Sequence, residues 1–117
     1  MTNHSELIKG TLGTIILRLL SQKGRMYGYE ITQLVKEITD GKVLVKEGSL
    51  YPALHKLEAD GLVTTEEVFI GKRVRKYYTL TQPGKNAAQA SVDELLAFLK
   101  TIHNLITAQP LASYGAA

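Results

Sequence analysis

The sequence predicts a mainly α, α+β chain, on three observations. Apolar residues recur at helical spacing in four separate stretches, and one stretch between the third and fourth reads as a two-stranded hairpin. The chain has 117 residues, 44% hydrophobic and 21% charged, enough for one ordinary core with little left for a second. Cysteine is absent, which removes disulfide frameworks, thiolate metal sites and cysteine nucleophiles together and fits a reducing compartment. No run approaches about 18 consecutive apolar residues. The opening MTNHSELIKG lacks a basic segment followed by an apolar one. The expectation is a cytoplasmic protein without a membrane partner.

The first helix is expected from Ser5, its N-cap, to Gln22, because Leu12, Ile15, Ile16, Leu19 and Leu20 make one buried stripe. Gly24 and Gly28 interrupt it. A second helix begins near Tyr27 to Tyr29, carries Ile31, Leu34, Val35 and Ile38 on its apolar side and ends at Gly41. Val43, Leu44 and Val45 form a β-prone run between Lys42 and Lys46 that fits a lone edge strand. The third helix is expected from Ser49 to Asp60, with Leu50, Ala53, Leu54 and Leu57 inside and Gly61 closing it. With Ser49 as N-cap, Pro52 is the third helical residue, where a missing N–H costs nothing.

From Leu62 to Leu80 the strings VTTEEVFI and RVRKYYTL flank a turn at Gly71-Lys72. In the second strand Val74, Lys76, Tyr78 and Leu80 share one face, and Arg73, Arg75, Tyr77 and Thr79 the other. Thr81 caps a last helix with Pro83 in its first turn, running from about Gly84 to Thr107 ahead of Pro110. Its stripe is Val92, Leu95, Leu96, Leu99, Ile102 and Ile106, widened by Phe98 and Leu105. That helix spans roughly 36 Å, longer than an 80-residue body is wide, so part of its apolar face needs another partner. The plan is therefore a body over 1–80, a dimerisation helix over 81–109 and a mobile tail over 110–117.

This order, helix, helix, short strand, helix and two-stranded hairpin, is that of a winged helix-turn-helix, whose third helix enters the DNA major groove and whose hairpin touches phosphates or the minor groove. The formal charge of +3 resides wholly in the first 80 residues, and Lys72, Arg73, Arg75 and Lys76 fall within five positions of the hairpin. On a helical wheel the outer face of helix three carries Ser49, Tyr51, Pro52, His55 and Lys56, with Glu58 the one acid nearby. Ser49 and Tyr51 can donate to a phosphate or a base edge, His55 can donate or accept, Lys56 supplies charge, and Tyr29 at the start of helix two can reach a phosphate. Helix three lacks Arg, Asn and Gln, the side chains of bidentate base contacts. Specificity is then expected from few contacts plus DNA shape.

The strings IKGTLGTIILRLL, MYGYEITQLV, EGSLYPALHKLEADGLV and RKYYTLTQPG resemble the PadR family of bacterial transcriptional regulators, almost unbroken from about Ile8 to Gly84. The single helix after the hairpin is similar to the smaller subfamily. The resemblance implies a dimeric, usually repressing regulator whose C-terminal helix packs on its partner, bound to an inverted-repeat operator. Some members of the subfamily take planar aromatic molecules between aromatic side chains, which makes a small hydrophobic or phenolic effector an open partner. This chain has no tryptophan, and its last helix offers only Phe98.

Other functions fit less well. His4, His55 and His103 are scattered without metal-ligand spacing, and Ser49 has no readable His and Asp partners. Glu66 and Glu67 point to opposite faces of a strand. No catalysis, cofactor or metal is expected. A winged helix used only for protein interaction is the alternative, against which the basic hairpin argues. RNA is disfavoured because the hairpin offers no exposed aromatic platform at its tip.

Overall fold

The computed structural model describes residues 5–109; the tail over 110–117 and His4 lie outside them. A 3-10 segment, Ser5–Thr11, leads into α1 (Leu12–Lys23). Strand β1 (Met26–Tyr27), α2 (Gly28–Ile38), α3 (Glu47–Ala59), β2 (Val63–Ile70), β3 (Arg73–Leu80) and α4 (Gln82–Ile106) follow. The expected single helix from Ser5 is thus two pieces. Thr11 makes the break, its Oγ1 donating to the Ile8 carbonyl at 2.9 Å.

Helix α1 packs against α4, α3 and β3. Its buried arc is wider than one stripe for that reason and takes in Leu17 beside Leu12, Ile16, Leu19 and Leu20. Ile31 and Val35 from α2, Leu50, Leu54 and Leu57 from α3, and Met26, Val63, Tyr78 and Leu80 from the sheet complete the core. Each such side chain taken fully from water contributes about 1.5–3 kcal/mol.

The sheet has the antiparallel order β1-β3-β2. Its third strand is Met26–Tyr27, paired with Tyr78 and Tyr77, and not the expected run at 42–46. That run is held open by Thr39, whose Oγ1 donates to the Val35 carbonyl at 2.8 Å and accepts from the Val43 amide at 3.1 Å. Val45 then drops into the core as an anchor. Helix α3 begins at Glu47, with Lys46 as the flanking residue, two positions before the expected cap. Pro52 is therefore the sixth residue of the helix, where its ring deprives the exposed Gly48 carbonyl of an amide partner.

The hairpin turns through Gly71 and Lys72, with Ile70 opposite Arg73. Tyr78 and Leu80 face the core as the alternation predicted. Thr81 caps α4 by accepting from the Gly84 amide at 3.0 Å and also donates to the Gly61 carbonyl at 2.7 Å, which ties the start of α4 to the turn after α3. Gly84 is buried here; a Cβ on it would stand 1.9 Å from the Leu62 carbonyl oxygen. Ala88 is the last fully buried residue of α4; farther along, Ser91, Val92, Leu95 and Ile102 are half-buried and the rest of the helix is exposed, in a molecule 69 Å long but only 35 and 21 Å across.

Gly84→Ala is expected to cost about 2 kcal/mol or more, because the conflict is with backbone and the helix start must shift. A thermal midpoint within a degree of the parent would show that α4 is not seated this closely.

Candidate nucleic-acid interface

Ser49, Tyr51, Pro52, His55 and Lys56 all lie on the exposed side of α3, opposite the buried Leu50, Leu54 and Leu57. Ser49 is the third helical residue, its amide bonded to the Lys46 carbonyl at 3.0 Å. Lys56 Nζ pairs with Asp60 Oδ2 at 3.4 Å, one turn along, so the acid beside it is Asp60. Glu58 is engaged instead with Thr65, whose Oγ1 donates to it at 3.4 Å. The Lys56–Asp60 pair is exposed and easily exchanged for another anion. Tyr51 leans back on the start of α2: a Cβ on Gly28 would sit 2.5 Å from the Tyr51 hydroxyl oxygen. Glycine at 28 is what lets that ring lie across the N-terminus of α2, next to the exposed Tyr29.

On the hairpin, Lys72 and Arg73 are exposed at the tip, and Arg75 and Lys76 are half-buried behind it. Tyr27 and Tyr77, opposite each other across β1 and β3, meet edge to face with ring centres 5.4 Å apart. The Arg75 guanidinium lies 4.1 Å over Tyr27, and Arg25 lies 4.1 Å over Tyr77. Arg75 also donates to the Tyr77 hydroxyl at 3.4 Å, a bond that raises its pKa above the ordinary arginine value. Arg25 pairs with Glu66. The sheet thus carries alternating cations and aromatic rings in which Arg75 is already oriented, so less side-chain freedom is lost when it meets an anion. Strand alternation places Arg75 and Tyr77 on one face, but β1, which supplies Tyr27, is two residues long and shows no period of its own.

An open cleft of about 630 Å³ separates this wing from the helices. Tyr29 and Tyr51 line it from the helical side, and Arg73, Arg75 and Lys76 from the wing. Ser49, Pro52, His55, Lys56 and Lys72 are outside its lining. Tyr27, Gly28, Ile70, Val74 and Glu47 line it as well; no spacing in the sequence marks them, and Glu47 sets one carboxylate among the wing cations. Among the described residues no cluster of His, Asp or Glu is arranged to hold a metal, and no helix is long and apolar enough to cross a membrane.

The stripe on α4 is unpaired along most of its length. Val92, Leu95 and Ile102 are half-buried, while Leu96, Phe98, Leu99 and Ile106 are exposed, Ile106 to 76%. A shallow groove beside Leu95 and Phe98 is walled by Thr11 and Thr14.

The "Transcriptional regulator PadR-like family" model matches residues 16–90. The fold is similar to a transcriptional regulator from Clostridium thermocellum, with a TM-score of 0.78 and 31% identity, covering 88% of this chain and 100% of that one. The chain is 39% identical over 71 residues to the negative transcriptional regulator PadR of Bacillus subtilis (strain 168), over 60% of its own length and 38% of that protein's. It is also similar to Bacillus subtilis PadR crystallised in complex with operator DNA, with a TM-score of 0.63 and 36% identity, covering 69% of this chain and 45% of that one. This chain therefore spans under half of that relative. With the family model covering the second half of α1, both helices of the helix-turn-helix, the wing and the start of α4, the chain belongs to the PadR-like family of transcriptional regulators.

Proposed function

We propose that the chain acts as a homodimeric repressor that binds an inverted-repeat site in double-stranded DNA. The observation that carries this reading is the cleft in which Tyr29 and Tyr51 on the helices converge with Arg73, Arg75 and Lys76 on the wing. Aromatic hydroxyl donors and fixed cations on two walls suit a duplex, whose phosphates flank a groove that admits a helix. Ser49, Pro52, His55 and Lys56 face the major groove from α3, and Lys72 adds charge at the tip. Repression and operator binding are supported by what is known of the Bacillus subtilis relative, a negative regulator crystallised with operator DNA.

The second chain is argued from α4. Leu96, Leu99 and Ile106 expose an apolar face that a two-fold related α4 would cover, with Val92, Leu95, Phe98 and Ile102 at its margins. Two recognition helices set about 34 Å apart then meet successive major grooves on one side of the duplex. A small hydrophobic or phenolic effector seated between the two α4 faces, beside Phe98, would release the DNA by changing that spacing. A protein-interaction module that uses the same scaffold would leave the wing cations without a role. The site of action is the cytoplasm, where the DNA is.

The duplex just upstream of the protein's own coding region is the probe for the first test. Arg73→Ala with Arg75→Ala is expected to weaken binding to every duplex and, at about 0.9 per phosphate contact, to flatten the log–log salt slope by close to 4 per dimer. Unchanged affinity and slope would remove the wing from the mechanism. Tyr51→Ala or His55→Ala, by contrast, should reduce discrimination between that duplex and a scrambled one, and equal losses on both would move base reading away from α3. Leu99→Asp is expected to yield monomers at micromolar concentration, since an unpaired carboxylate would be buried between apolar faces. Sedimentation that still shows a dimer would place the interface elsewhere.

A further inference from the structure

The wing tip carries an exposed apolar pair that neither the core nor the cationic face explains. Phe69 and Val74 stand directly opposite each other, one pair before the Gly71-Lys72 turn, and the alternation puts them on the face that nearer the body carries Tyr78 and Leu80. Near the body that face is buried. At the tip it has run past the helices, and Phe69 is 73% and Val74 51% exposed. The sequence reading expected no exposed aromatic at this tip, because strand alternation alone does not say where the helices under a hairpin stop.

Three observations limit what such a pair can meet. Lys72 in the turn and Arg73 at the start of β3 stand beside it, so its partner is an anion with an apolar interior. Val74 lines the same cleft as Tyr29 and Tyr51, so the tip and the α2–α3 face address one object. Finally, one ring, one valine and the exposed Ile70 on the opposite face are too small to hold a membrane surface or to stack a run of unpaired bases, which takes several aromatics. The minor groove of a duplex is about 6 Å wide, so a hairpin met there stays at its rim while a single ring can enter edge-on. Apolar side chains in that groove partly unstack a base step, and this is least costly at flexible pyrimidine–purine steps.

We infer that Phe69, backed by Val74, is a wedge that enters the minor groove beside the major-groove segment met by α3 and selects deformable steps there. The inference rests on the duplex-DNA reading above. It supplies discrimination that α3, without Arg, Asn or Gln, is poorly equipped to give.

The test is selection from a pool of random duplexes by the full chain, its Phe69→Ala variant and its Phe69→Leu variant, followed by the bend angle of the selected duplex from energy transfer between its ends. The parent is expected to enrich pyrimidine–purine steps flanking each half-site and to bend them. Phe69→Ala should keep its thermal midpoint, its salt slope and its affinity for unselected duplex. It should lose about fivefold or more of that enrichment, the discrimination typical of one mismatched pair, together with most of the bend. Phe69→Leu, which retains an apolar wedge, should keep most of both. Equal enrichment and bend in the parent and Phe69→Ala overturn the wedge while leaving duplex binding intact. A loss confined to single-stranded oligonucleotides, or to phosphatidylserine vesicles, overturns it in favour of those partners. A parent that binds no duplex overturns the DNA reading itself, and the wedge with it.

Discussion

The arrangement depends on the pairing of β3 with two strands at once. Its partner β2 builds the wing, whereas β1, only two residues long, belongs to the segment that opens α2. Tyr78 sits at the junction, opposite both Met26 and Thr65, with 1% of its surface exposed, and burial pushes its phenol pKa up. A hairpin alone is marginally stable in water. Locked to β1 and seated on α1, it becomes a rigid arm whose direction is set by the same residues that set the start of α2. The Glu30 carboxylate reinforces that start by accepting from the Tyr27 amide at 3.0 Å.

Chemistry is placed at the cleft by this one constraint. Tyr27 faces Tyr77 because the two strands are in register, and the resulting pair of rings gives Arg25 and Arg75 surfaces to lie on. Gly28 follows at once in the chain, and its missing side chain is the space that Tyr51 of α3 occupies. Four consecutive residues, Arg25 to Gly28, therefore link wing, α2 and α3.

Much of this was legible in the sequence where periodicity runs long enough. The stripes of α1 and α4, the hairpin faces and Thr81 as cap all follow from spacing and residue type. What escaped has physical causes. Two residues of β1 cannot show alternation, whereas Val43 to Val45, which read as a lone edge strand, have high β propensity but lose the Val43 amide to the Thr39 hydroxyl. The start of α3 was placed at Ser49 because Lys46 is not a capping residue type, and the structure shows no side-chain cap there. The outer face of α3 was read correctly from the wheel. The seat of Tyr51 on Gly28, the Lys56–Asp60 pair and the stacking of Arg75 depend on contacts between elements or rotamers that spacing does not encode. Spacing predicts the stripe of α4, and the structure adds that full burial ends at Ala88, with Val92, Leu95 and Ile102 half-buried beyond it.

Whether wing and α3 meet one duplex from a two-fold dimer is decided by a hydroxyl-radical footprint on the duplex upstream of the coding region. Two protected patches are expected on one face of the helix, about 10 base pairs apart from centre to centre, each flanked by a protected minor-groove edge. A single patch, or uniform cleavage at protein concentrations that shift the duplex fully, would contradict that arrangement.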